Sequence, residues 1–334
     1  MAARPAPIGR HSPQVLEVSV TEQTGPLRGE QVVRWLAGTT GTERAAAEEL
    51  RGGGRQLDCG ALQQLVGALT VEGAFPRLLR LDLSNSLLTD EGCMQVAGGL
   101  LALQQRPIGG LRCLLASGNQ IGHAGAEVLA TSFFCGGASS STSRGGAGGE
   151  LTLSLSENPL GDQGVAAVAA AVRSQECRAA LQLCETSCGS EGCTALAQSL
   201  HRIAALDLSY NTVPTGALNM LVGALGPPLR QLGLCRVAPG GSGGLFRGST
   251  VQALAASLAG DSPPPLVTLT LAGNDLQDAG MRTLAATLSG ASVEELDLAS
   301  NRLQDGNLLA KVLARGSLLS LSLDVCIAHQ GQVA

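Results

Sequence analysis

Residues Leu151–Gly164 read LTLSLSENPLGDQG. Glu157, Asn158 and Asp162 fall within six positions of one another there. Such a group invites two readings: a small acidic site for a metal or for acid–base chemistry, or one turn of a unit that recurs. The rest of the chain decides between them. Aligned on L-x-L-x-x-N-x-L, the pattern returns again and again. Leu81 and Leu83 lead to Ser86, Leu88, Asp90 and Gly92; Leu114 leads to Asn119, Ile121 and Gly125. Leu181 and Leu183 lead to Thr186, Cys188 and Gly192, and Leu206 and Leu208 to Asn211 and Val213. Leu232 and Leu234 lead to Val237; Leu269 and Leu271 lead to Asn274, Leu276, Asp278 and Gly280. Leu296 and Leu298 lead to Asn301, Leu303 and Asp305, and Leu321 and Leu323 end the series at Cys326. Val18 and Val20 read as a degenerate first copy, and CGALQQLVGAL (59–69) as the helical half of a second.

Copies are spaced 25–39 residues apart. Each has two halves. The first alternates apolar and small polar residues with the period of a strand. The second, as in GVAAVAAAV (164–172) or GMRTLAATL (280–288), carries apolar residues at helical spacing. One such unit cannot bury its apolar face alone, but a stack of them can. The periodicity therefore predicts an α/β solenoid, parallel strands on one side and helices on the other.

The consensus L-x-x-L-x-L-x-x-N-x-L-x-D-x-G-x-x-x-L-A-x-x-L resembles the leucine-rich repeat of the ribonuclease-inhibitor type. About nine copies match, over roughly residues 75–328. The resemblance implies a horseshoe with a concave strand face and convex helices. The copies divide the chain into one leucine-rich repeat domain over 15–334, with degenerate copies at 15–74 and clear copies at 75–328, preceded by a segment at 1–14 read as disordered. The resemblance also implies that Asn119, Asn158, Asn211, Asn274 and Asn301 hydrogen-bond backbone where the chain leaves each strand. Val237, in the same slot, cannot, which leaves its turn in question. Asn158 and Asp162 thus occupy structural slots; Asp162 recurs as Asp90, Asp278 and Asp305, where an acid suits a helix start. The slot of Glu157 is not fixed by the repeat.

CETSCGSEGC (184–193) is the most metal-like stretch. Its register argues against zinc, because Cys188 and Cys193 fall in core slots and Cys184 on the strand face, so the three side chains diverge. Cys184 and Cys235 share a slot two copies apart, too far for a disulfide. No P-loop or dinucleotide glycine motif is present, the four histidines are scattered, and no nucleophile–base constellation stands out. The chain therefore reads as non-catalytic and without a cofactor. A net charge of -5 and a lone lysine, Lys311, leave no basic stripe to meet nucleic acid. No apolar run is long enough to span a membrane and no secretory h-region is visible, which places the chain in the cytoplasm or nucleus and not among secreted proteins.

The residues between and just after the strand leucines face the hollow side. The candidate partner-binding residues are Arg80, Asp82, Glu157, Glu185, Asp207, Tyr210, Arg236, Glu295, Asp297 and Asp324. Acids outnumber bases among them, so one reading is a recognition surface for a basic protein; the other is a solvated strand face with nothing bound. Tyr210 is the sole tyrosine. Two Gly/Ser-rich insertions, 135–149 and 238–249, read as flexible coil emerging on opposite rims, and Phe246 and Arg247 make the second the better interaction candidate. Nothing after Cys326 reads as a closing helix. Either a partner or a second copy covers that end, making a homo-oligomer, or the end frays. The leading reading is a protein-interaction scaffold. The alternative is an enzyme regulator of the Ran GTPase-activating or ribonuclease-inhibitor kind; the acidic extension of the first and the aromatic-rich concave face of the second are not seen here.

Overall fold

The computed structural model of the chain describes residues 15–17, 29–52, 57–71, 73–105, 110–135, 150–237, 248–288, 290–308 and 318–323. The segment 1–14, nearly all of both insertions, Phe246, Arg247, and Asp324 onward lie outside them. In chain order the elements are β1 (Val15–Glu17), α1 (Gly29–Gly38), α2 (Gly41–Ala46), β2 (Glu49–Arg51), α3 (Cys59–Thr70), β3 (Arg80–Asp82) and α4 (Asp90–Gln104). They continue with β4 (Cys113–Leu115), α5 (His123–Phe134), β5 (Leu151–Ser154), α6 (Gly161–Arg173), β6 (Ala179–Gln182), α7 (Ser190–Ser199) and β7 (Ile203–Asp207). The last are α8 (Thr215–Gly223), β8 (Gln231–Gly233), α9 (Ser249–Ala259), β9 (Thr268–Thr270), α10 (Gln277–Leu288), β10 (Glu295–Asp297) and β11 (Ser320–Ser322).

The eleven strands described form one sheet in strict sequence order. Every neighbouring pair is parallel, and Leu16, Leu50, Leu81, Leu114, Leu153, Leu181, Leu206, Leu232, Leu269, Leu296 and Leu321 lie in one row. Each leucine from Leu50 to Leu296 is buried beneath the convex helices. Strands in a sheet lie about 4.8 Å apart, whereas packed helices need about 8–10 Å. The stack therefore bends toward its strands, and the sheet lines the inside of a horseshoe.

One expectation needs correcting in register, and a strand that the sequence left blurred is placed. The first strand is Val15–Glu17, so Leu16 and not Val18 fills the leading leucine slot. The VLEVSV run alternates, and a slip of two residues keeps every side chain on the same face. The second copy has a strand at Glu49–Arg51, where the sequence pattern is blurred because Leu50 stands between two charged residues.

Polar ladders hold the copies together. Asn119 Oδ1 accepts from the Ser86 and Leu88 N–H groups of the preceding copy, and its Nδ2 donates back to the Leu83 carbonyl. Asn211 and Asn301 repeat this arrangement, and Asn158 and Asn274 repeat it with one N–H donor each, from Ile121 and Val237, among the described residues. Val237 keeps the turn without it: Val213 N–H reaches the Val237 carbonyl at 3.3 Å. The acid slot works across copies as well. Asp162 lies in the first turn of α6, yet its Oδ1 accepts from Gly189 N–H at 2.6 Å and Gly192 N–H at 3.0 Å, capping α7 of the next copy. Gly189 itself offers no side-chain cap, and a Cβ on it would meet Asp162 Oδ2 at 3.0 Å. Asp90 reaches Gly122 N–H, and Asp278 reaches Gln304 and Asp305 N–H, in the same sense.

Candidate functional site

The concave face is built from the strand residues that flank the buried leucines. At its N-terminal end, Glu49 is only 5% exposed and takes two guanidinium groups: Arg51 Nε at 2.8 Å and Arg80 Nε at 3.1 Å. The carboxylate raises the pKa of Arg51 by hydrogen bonding and charge. Arg80, a sequence candidate, is thus engaged within the sheet. Glu49 and Arg51 escaped the sequence reading because their copy is degenerate; Leu50 between them is the trace that could have placed them.

Asp82, Asp207 and Asp297 share a row at the strand ends. Each accepts the N–H two residues on, from Ser84, Ser209 and Ala299, at 2.9–3.0 Å. That bond uses one carboxylate oxygen and serves the chain's exit from the strand. Glu295, one row earlier, accepts from Thr268 Oγ1 at 2.9 Å.

Glu157, Glu185, Tyr210 and Arg236 are not strand residues. With Asn85 they take left-handed backbone, φ between 48° and 60°, in the turn leaving each strand. Gly118 and Gly273 fill the same slot at φ 66° and 70°. For residues with a Cβ this conformation costs on the order of 1 kcal/mol, and it recurs here because the Asn ladder fixes the turn. The side chains so placed stand on the rim. Tyr210 is 53% exposed. The Arg236 guanidinium lies 5.7 Å from the Tyr210 ring centroid, within cation–π range. Glu157 and Glu185 are exposed and have no ion-pair partner among the described residues.

Between the rim and the strand starts, a hollow of about 300 Å³ opens over β5 to β9. Asp207 lines it, together with Gln182, Gln231 and Thr270, and Ala180, Ala205 and Gly233 form the shallow part of its floor. Near it the Cys184 thiol is pushed up to about 11, first by burial and then by the charges of Asp207, Glu185 and Glu157. Those three acids are the charges gathered over this part of the face.

The other cysteines of the motif are core. Cys188 and Cys193 are buried, with their sulfurs 3.9 Å apart, and Cys93 fills the Cys193 slot in an earlier copy. The hydrogen bond with the Cys193 thiol, followed by burial, pushes the Cys188 thiol far up. Among the described residues no cluster of three His, Cys, Asp or Glu is set to hold a metal ion, and no helix is long and apolar enough to cross a membrane.

A family model described as "Leucine Rich repeat" matches residues 151–169 and 262–285. The human NACHT, LRR and PYD domains-containing protein 12 is 31% identical over 181 residues; the match covers 53% of this chain and 15% of that protein's length. Among solved structures, a chain of the yeast Rad7 and Elc1 complex superposes with a TM-score of 0.52 at 12% identity, over 92% of this chain and 69% of that one. An internalin from Listeria monocytogenes gives a TM-score of 0.48 at 17% identity, over 86% and 63% of the two chains. The repeated Leu and Asn slots, the in-order parallel sheet and the family-model match agree on a leucine-rich repeat solenoid.

Proposed function

We propose that the chain is a non-catalytic protein-interaction scaffold whose concave face and rim bind a protein partner of basic character. One observation carries this reading. Arg51 and Arg80 are ion-paired with Glu49 and Arg236 packs on the Tyr210 ring, while Glu157 and Glu185 are presented without an ion-pair partner among the described residues. Opposite charge on a partner would steer encounter and set orientation. The helices of 9–15 residues that follow the strands from β3 to β9 fit the ribonuclease-inhibitor type of repeat. Buried thiols used as core residues, as at Cys93, Cys188 and Cys193, fit the reducing interior of a cell, cytoplasm or nucleus.

The test is affinity capture from the source cell with wild type and with a Glu157→Arg, Glu185→Arg, Tyr210→Ala variant of unchanged circular dichroism. Partners captured by wild type and lost by the variant support the reading. An identical partner list from both proteins overturns it.

A further inference from the structure

The hollow over β5 to β9 differs from the rest of the concave face in two ways. Its floor is small: Ala180 on β6, Ala205 on β7 and Gly233 on β8 replace the larger side chains that fill those rows elsewhere. Its polar groups are unspent: Gln182, Gln231 and Thr270 have no side-chain partner among the described residues, and Asp207 uses only Oδ1, toward Ser209 N–H. Gly233 is what places the Asp207 carboxylate. A Cβ there would lie 2.8 Å from Asp207 Cγ, so the side chain folds over a space that only glycine leaves. Asp82 and Asp297 make the same local bond, but their neighbours on the next strand are Leu115 and Ser322. Asp207 is therefore the member of its row laid down into a recess. Glu150 and Asp207 are the charged residues lining the hollow, and both are acids.

The lining suits a guest with an apolar stem for the alanines and a cationic tip with several donors for Asp207, Gln182, Gln231 and Thr270. An arginine side chain has these properties: its methylenes pack on alanine methyls, and its guanidinium presents five N–H donors to acceptors on several sides. A lysine supplies the charge but not the planar fork. We propose that this hollow is the receptor for one arginine side chain of the protein partner, its guanidinium held by Asp207 and by the amide and hydroxyl oxygens of Gln182, Gln231 and Thr270. The inference rests on the scaffold reading above and locates its centre.

The test uses full-length protein labelled at alanine methyls, with Ala180 and Ala205 as reporters, titrated with Nα-acetyl-arginine amide. The neutral isostere Nα-acetyl-citrulline amide and Nα-acetyl-lysine amide are the controls. The expected result is a saturable shift of both methyls with the arginine probe, a weaker response to lysine, and none to citrulline. Asp207→Asn weakens the arginine response at least tenfold. Gly233→Ala does the same with every charge kept, because it pushes the carboxylate out of the recess. Ala205→Phe abolishes the Ala180 response by filling the hollow while Asp207 stays, and unchanged methyl signals elsewhere show that the variants fold. Equal shifts from citrulline and arginine, an arginine response that survives Asp207→Asn, or no shift at Ala180 and Ala205 would each overturn the proposal. Partner capture separates the two readings. An arginine response at the hollow with capture unaffected by both Ala205→Phe and the rim variant sinks the concave-face scaffold and, with it, the assignment of the hollow to a partner's arginine; capture lost in Ala205→Phe but kept in the rim variant confines the partner contact to the hollow and supports the receptor. A silent probe with capture lost in the rim variant alone sinks the receptor and leaves the scaffold.

Discussion

Asn211→Val tests what holds the copies together. Asn211 is 2% exposed. Its Oδ1 accepts from Thr186 N–H and Cys188 N–H, both at 2.9 Å, and its Nδ2 donates to the Leu183 carbonyl at 2.7 Å and the Leu208 carbonyl at 2.9 Å. Valine removes these four bonds, and the longer ones with Thr186 Oγ1 at 3.3 Å and the Ser209 carbonyl at 3.4 Å, while keeping a side chain of comparable size. The Leu183 carbonyl keeps a partner, since Thr186 Oγ1 donates to it at 2.9 Å. Two N–H groups and one carbonyl are left buried without this partner. At about 1–3 kcal/mol for each unsatisfied buried group, softened by relaxation, the loss is about 3–5 kcal/mol. With a urea m-value of about 3 kcal/mol per M, the midpoint falls by roughly 1.0–1.7 M. Far-UV circular dichroism follows the whole stack, and fluorescence of Trp35, the single tryptophan, follows the N-terminal end at α1. Coincident shifts of the two signals mean that the copies unfold together. Val237 is the natural counterpart: its copy lives without the side chain because Val213 N–H takes the Val237 carbonyl. Val237→Asn should therefore stabilise by up to about 1 kcal/mol. An Asn211→Val loss below about 1 kcal/mol would refute the ladder as a main source of cohesion.

Asp162→Ala removes the cap that reaches α7 from the preceding copy and should cost about 1–2 kcal/mol in the same urea titration. Asp162→Asn, which keeps an acceptor, should recover part of it; equal losses from both would contradict capping by hydrogen bond. Gly192→Ala places a methyl 3.0 Å from both Asp162 Oδ1 and Cys188 Sγ and 3.1 Å from Val165 Cβ. It should destabilise by about 1–3 kcal/mol despite the better helix propensity of alanine, and a rise in midpoint would show that the packing gives way. Burial, followed by the charge of Asp90, pushes the Cys93 thiol up to about 12. Above its ordinary value near 9 the unfolded chain releases this proton and the folded chain retains it, so stability falls as pH rises, by about 2–3 kcal/mol at pH 11. Cys93→Ala should flatten the decline between pH 9 and 11 in urea midpoints, and an unaltered slope would place the titration elsewhere.

Much of the fold is legible because the leucines and asparagines of each copy are spaced by the geometry they serve. A leucine pair in strand period and an Asn three residues on name the strand, its buried face and its exit turn in one glance. What the sequence hides has physical causes. VLEVSV alternates, so its register is ambiguous by two residues. Glu49-Leu50-Arg51 forms a strand with one buried leucine and a charge on either side, and its Glu49–Arg80 contact needs the sheet to bring the two together. The rim is harder still. Glu157, Glu185, Tyr210 and Arg236 do not favour left-handed backbone, and only Gly118, Gly273 and Asn85 in their slot signal it. The Asp162 slot reads as a helix start, but the helix it caps is the next one, because the offset between stacked copies sets that distance. The hollow follows from three small residues on neighbouring strands, a property of no single copy.

The central claim is that the concave face and its rim meet the partner. Carbodiimide labelling of carboxylates, read by mass spectrometry on the free protein and on its complex with the captured partner, tests it most directly. The account predicts that Glu157, Glu185 and Asp207 lose reactivity in the complex while Glu127 on α5, Glu191 on α7 and Asp261 after α9 keep theirs. Protection of the helix-side acids with Glu157, Glu185 and Asp207 unchanged would contradict it.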